Sequence, residues 1–167
     1  PFRSVVAYKP NTGASNGGKS GPNQVMDEQE TLKKTVAYAK EKHPDFDIIG
    51  DEAKLTELAQ NLICNELGGD DPSLLSEDFQ FLFPVVGPLT KAQFLEAFTN
   101  FKVREAFPTA SANFYNFKID PLEPNRIWML SRGAYEHLGT IVFGVSKFPA
   151  TGKRICLPPQ CFSMSFD

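Results

Sequence analysis

The hydrophobic period of this chain changes once, from about 3.6 residues in its first two thirds to about two in its last third, and that switch does most to limit its fold. Asp27 and Glu30 form a capping-box pattern ahead of Leu32, Val36 and Ala39, and Pro44 follows a lysine-rich last turn, so a first, weakly amphipathic helix is expected there. A stronger one follows. Leu55, Leu58, Ala59, Leu62, Ile63 and Leu67 recur at helical spacing, with Asp51 placed to cap the start and Gly68-Gly69 to end it. Thr90 and Gln93 make another capping box before Phe94, Leu95, Phe98 and Phe101, a third helix with an aromatic face.

After that the pattern alternates. Asn113 to Ile119, Ile127 to Arg132, Tyr135 to Lys147, Arg154 to Leu157 and Cys161 to Phe166 read as strands, with turn chemistry in DPLEPN (120–125) and PATG (149–152). Gly133, where two extended runs meet, suggests a bulge. Helices followed by a strand meander predict an α+β fold, with helices packed on a curved antiparallel sheet. There is no internal repeat.

A chain of 167 residues with 41% hydrophobic content builds one core, which excludes a multidomain enzyme. Its net charge of −3 argues against whole-surface attraction to nucleic acid. Cys64, Cys156 and Cys161 are too few and too irregularly spaced for a disulfide framework and read as buried thiols; with two histidines they cannot build a zinc set, and no metal is expected. Asp70, Asp71, Glu77 and Asp78 fit no calcium loop and read as a solvated acidic surface. The longest apolar candidate, Phe79 to Val86, is interrupted by Gln80 and Pro84, so no transmembrane segment is expected and any membrane association would be peripheral.

Charge divides the chain in two. Residues 1–26 hold Arg3, Lys9 and Lys19 and no acid, leaving 14 basic against 20 acidic groups in residues 27–167. The first stretch reads as an extended basic arm and the second as the folded domain. Between Lys9 and Asn23 the arm holds four glycines, two prolines and no large apolar residue, too little to offset its ordering entropy. Gly13 to Ser20 matches the phosphate-binding pattern G-x-x-x-x-G-K-[ST], but Gly21-Pro22 follows where a helix must start, so no nucleotide is expected.

The stretches FLFPVVGPLTKAQFLEAF (81–98), EAFP (105–108), NFYNFKIDPLEPNRIWMLSR (113–132) and FPATGKRI (148–155) resemble the SnoaL-like branch of the nuclear-transport-factor-2-like superfamily, especially forms from photosynthetic algae. The resemblance covers about residues 51–167. It implies a cone: three helices packed inside a strongly bent antiparallel sheet, with a cavity at the wide end. Enzymes of this kind use an Asp or His inside the cone to take a proton next to a carbonyl while a donor stabilises the enolate. By that analogy His137 is the candidate base and Tyr135 the donor, with Tyr115, Trp128 and Arg132 as further pocket-lining candidates.

In the algal forms the segment holding His137 tends toward R-x-T-G-T-H-T-G, whereas Tyr135 and Glu136 here replace small residues that would leave a cavity open. Alternation would set Tyr135, His137, Ile141 and Phe143 on one face of a continuous strand. The simpler reading makes His137 a hydrogen-bonded core histidine and Tyr135 a packing residue. Two functions are therefore expected in contrast. One is a non-catalytic assembly subunit, its arm residues Arg3, Lys9 and Lys19 binding a protein partner, for which the algal resemblance implies a plastid thylakoid complex. The other is a cofactor-independent isomerase or cyclase acting on a small apolar carbonyl compound. Phe162, Met164 and Phe166 would leave a strand edge open at the end of the chain, so a further strand or a neighbouring chain is expected to cover it.

Overall fold

Side-chain caps open the three long helices. The computed structural model describes residues 2–7 and 26–167, apart from residues 85, 102 and 144. Asp27 accepts from the backbone N–H groups of Gln29 and Glu30 at the start of α1 (Glu28–Lys42). Asp51 accepts from the Lys54 N–H at the start of α2 (Glu52–Cys64). Gln93 Oε1 accepts from the Thr90 N–H before α3 (Lys91–Phe101), and a short α4 (Val103–Ala106) follows. All three expected starts are present, because each cap satisfies N–H groups that the helix itself leaves orphaned.

The strands are β1 (Phe2–Ala7), β2 (Leu75–Phe83), β3 (Val86–Thr90), β4 (Phe114–Ile119), β5 (Arg126–Ser131), β6 (Ala134–Glu136), β7 (Ile141–Phe143), β8 (Ser146–Phe148), β9 (Arg154–Cys156) and β10 (Gln160–Phe166). Six of them form the main sheet in the order β3-β2-β1-β10-β5-β4, while β6 pairs with β9 and β7 with β8. Among the described residues every strand pairing is antiparallel except β1 with β2. The α+β architecture of helices on an antiparallel sheet is as the sequence predicts.

One face of this sheet and one face of α2 make the core. Phe162 lies opposite Met129 and Met164 opposite Ile127 across the β10–β5 ladder, so all four point the same way. They pack in one cluster with Leu55, Ala59 and Leu62 of α2 and with Phe79 and Phe94. The aromatic members form a continuous chain: ring centroids are 5.0 Å apart for Phe98 and Phe94, 4.7 Å for Phe94 and Phe81, 4.9 Å for Phe81 and Phe83, and 5.9 Å for Phe83 and Phe162. By contrast α1 buries no residue fully; Thr35 Oγ1 donates to Pro121 O, and Val36 packs against Gly50.

Three expectations are corrected. The edge of β10 is not open, because β1 pairs with it on the side away from β5. That same strand comes from the stretch read as an arm, of which residues 8–25 lie outside the described residues. The run from Tyr135 to Lys147 is no single strand: the Leu138 and Gly139 N–H groups both donate to Ala106 O, which draws residues 138–140 away from β9 and ends the expected alternation of faces. Finally, all three thiols are exposed. Cys64 lies about 200° around α2 from buried Leu62, Cys161 alternates away from Phe162, and Cys156 sits on the exposed strand β9.

Candidate functional site

The β6–β9 ladder and the end of α4 fix His137 between them. Its N–H donates to Lys153 O and its C=O accepts from the Gly152 N–H, at 3.0 and 2.9 Å. The side chain is buried, with Nδ1 3.0 Å from Thr151 Oγ1. Its Nε2 is buried as well and has no hydrogen-bond partner among the described residues. Phe107 lies 5.4 Å from the imidazole and 6.0 Å from the Tyr135 ring, so one aromatic side chain packs against both the candidate base and the candidate donor.

Tyr135 is half-buried, and burial pushes its phenol pKa up. Its ring folds over Gly133, where a Cβ would come within 2.3 Å of the phenol oxygen. Gly133 is therefore the space that lets Tyr135 lie down. No carboxylate is among the hydrogen-bond partners of His137 in the described residues. An imidazole without such a partner can still exchange a proton at Nε2, but it lacks the third group that orients a catalytic base.

The other candidates stand elsewhere. Tyr115 is exposed on β4. Trp128 alternates with buried Ile127 and Met129 on β5 and so faces away from the core, where its Nε1 donates to Asp120 Oδ2 at 2.6 Å. Arg132 is exposed, and its carbonyl accepts from Asn113 Nδ2 at 2.8 Å. The structure thus sets both His137 and Tyr135 against Phe107 but groups Tyr115 and Trp128 on a different surface. The Arg3 side chain, Lys9, Lys19 and the Gly13 to Ser20 motif lie outside the described residues.

Two residues of the His137 environment escaped the sequence reading. Thr151 belongs to PATG, legible only as a turn, and Phe107 belongs to EAFP, where no periodicity marks it. The acidic residues near the 70s are occupied locally: Asp70 pairs with Arg104, Asp71 caps the Pro72–Leu74 turn, Glu77 pairs with Lys91, and Asp78 accepts from Ser76. Among the described residues no cluster of three or more His, Cys, Asp or Glu side chains could hold a metal ion, and no helix is long and apolar enough to cross a membrane.

An open groove of about 970 Å³ runs between the C-terminal half of α1 and the turn at 122–125, lined by Tyr38, Phe46, Ile49, Leu122 and Pro124 among others. Two smaller hollows of about 190 and 200 Å³ lie beside Leu62 and Phe166 and beside Phe98 and Arg104. Neither His137 nor Tyr135 lines any of the three.

No protein-family model matches the chain, and no curated protein matches it. Among solved structures it is similar to one described as a SnoaL-like polyketide cyclase from Jannaschia sp. CCS1, with a TM-score of 0.53 and 16% sequence identity over 74% of this chain and 82% of that chain. At that identity the likeness shows the fold alone.

Proposed function

We propose that this chain is a non-catalytic binding subunit of a larger assembly, using the SnoaL-like fold as a scaffold. The observation that carries this reading is the packing of the core, where a linked row of phenylalanine rings lies in one cluster with residues of helix and sheet. The proposal requires no cofactor, metal or nucleotide. A protein partner contacts the chain in part through Arg3, Lys9 and Lys19, and the setting is peripheral attachment to a plastid thylakoid complex, a reading supported by the resemblance of residues 81–155 to algal forms. Purification from the native source under conditions that preserve large complexes tests it. Co-migration with a complex is expected, and a free monomer would overturn it.

A second reading rests on one specific observation, the buried Nε2 of His137, which has no partner among the described residues, close to Phe107. An isomerase or cyclase using His137 as base would exchange α-protons of small apolar ketones with solvent deuterium, and His137→Ala would abolish that exchange. The assembly reading expects no exchange above background in either protein.

A further inference from the structure

The helix α1 carries its own support. Asp27 caps its start, Glu28 and Glu30 lie in the first turn, and Lys40 and Lys42 lie in the last, each at the end that the helix dipole favours. The Lys34–Glu30 pair, at 2.6 Å, joins one turn to the next, as does the Lys42 ammonium 5.7 Å over the Tyr38 ring. No glycine or proline interrupts the 15 residues. All of these contacts are local, so α1 keeps them whether or not it touches the rest of the chain.

Its attachment is slight by comparison. Where α2 sets Leu55, Ala59 and Leu62 into the core, α1 half-buries a narrow stripe of Leu32, Val36 and Ala39 with Thr31 and Thr35 beside it. The seat under Val36 depends on Gly50, where a Cβ would come within 2.5 Å of Val36 Cγ2. Among the described residues, Thr35 Oγ1 to Pro121 O is the single side-chain hydrogen bond or ion pair from α1 to the rest of the fold. The groove of about 970 Å³ separates the C-terminal half of α1 from Leu122 and Pro124. The turn that follows can serve as a hinge: His43, Pro44 and Asp45 are exposed, while Ile48 and Ile49 beyond them are buried and the Gly50 N–H donates to Pro124 O at 2.8 Å. Few buried apolar contacts and a backbone open to solvent place an element at the low end of local stability.

We infer that α1 is a clasp, which undocks from the body as one unit about the turn at His43, Pro44 and Asp45 far more often than the body unfolds. Its seating decides whether the stripe of Leu32, Val36 and Ala39 is covered or presented. The sheet and α2 share one core in which α1 has no member, so that core stays intact when α1 leaves. The seated and released forms differ by the few contacts named above, and anything that binds the stripe draws α1 off the body at little cost. A clasp of this kind serves either functional reading and depends on neither.

Native-state hydrogen exchange on the purified chain tests this residue by residue. Amides from Leu32 to Lys42 should share one protection level, roughly a hundredfold below that of the Leu55 to Leu62 amides. Thr35→Val removes the tie to Pro121 and should lower protection across α1 about fivefold while leaving α2 unchanged. Ala39→Leu puts apolar volume into the groove and should raise α1 protection roughly fivefold, again with α2 unchanged. Equal protection in α1 and α2, or variants that shift both helices together, would show that α1 opens only with the whole fold and would overturn the inference. A graded loss from the helix ends, with Thr35→Val acting on its neighbours alone, would mean fraying and would overturn it as well.

Discussion

Thr151 Oγ1 and His137 Nδ1 lie 3.0 Å apart, and this contact satisfies one nitrogen of a buried imidazole whose other nitrogen has no partner among the described residues. An unsatisfied buried polar atom costs about 1–3 kcal/mol, whereas replacing both members of a pair by apolar groups can be nearly neutral. Thr151→Val should therefore destabilise the fold by about 1–2 kcal/mol, because it leaves two nitrogens unpaired. His137→Leu, which removes both nitrogens, should cost less than Thr151→Val. Urea unfolding midpoints decide the order; the reverse order would mean that Nε2 is satisfied in solution.

Glu52 ties the start of α2 to β4, its carboxylate accepting from the Ile119 N–H and from Lys118 Nζ, both at 3.1 Å. Partial burial works against its charge, and the Ile119 N–H and Lys118 together outweigh that, so its pKa falls below the ordinary 4.5. A folded-state pKa below the unfolded one means that the stabilisation is present above about pH 4.5 and disappears as pH drops through the lower folded value. Glu52→Gln should be less stable than the parent at neutral pH and converge on it in acid. A gap that stays constant across a pH series of unfolding curves would show that the carboxylate charge contributes nothing.

Local signals were legible where a side chain bonds its own neighbourhood. The Asp27, Asp51 and Thr90-Gln93 caps act within three residues, so each helix start could be read directly. The strands β2 and β3 could not. In β2 the adjacent Glu77 and Asp78 interrupt the alternation that Phe79 and Phe81 would show, and β3 holds Gly87 and Pro88, residues that normally mark a turn. What covers the edge of β10 was equally hidden, because β1 reaches it across the whole length of the chain and nothing local to either strand records that pairing. At the site, His137 was visible as a residue type, but its position depends on Ala106 and Thr151, which no period connects to it.

Gly139 is needed for a close approach. A Cβ there would sit 1.9 Å from the Glu105 backbone oxygen, at the point where Leu138 and Gly139 donate to Ala106 O. Backbone cannot rotate away as a side chain can, so Gly139→Ala should cost about 1–3 kcal/mol or more through overpacking and should loosen the crossing that holds His137. Gly152 provides the contrast: its φ is +64°, yet a Cβ there meets nothing within 4 Å. Gly152→Ala should therefore cost only the left-handed strain of about 1–2 kcal/mol. Melting temperatures of the two variants should separate, with Gly139→Ala lower; equal values would place the α4 contact outside the stabilised core.

Phe94 tests whether the interior is as full as the ring distances make it. It is buried, with its centroid 5.2 Å from Phe79, 4.7 Å from Phe81 and 5.0 Å from Phe98. Truncation to Ala should cost about 3–5 kcal/mol, from lost transfer energy and the cavity left behind, and Phe94→Leu clearly less. A cavity walled by phenylalanine side chains stays dry and can take a small apolar guest. Benzene should therefore raise the melting temperature of whichever of the two variants folds, more for Ala than for Leu, and leave the parent unchanged. A comparable rise in the parent protein would mean that an apolar cavity already exists between helices and sheet. That result would remove the observation on which the assembly reading stands and move the weight to His137 and a bound carbonyl substrate.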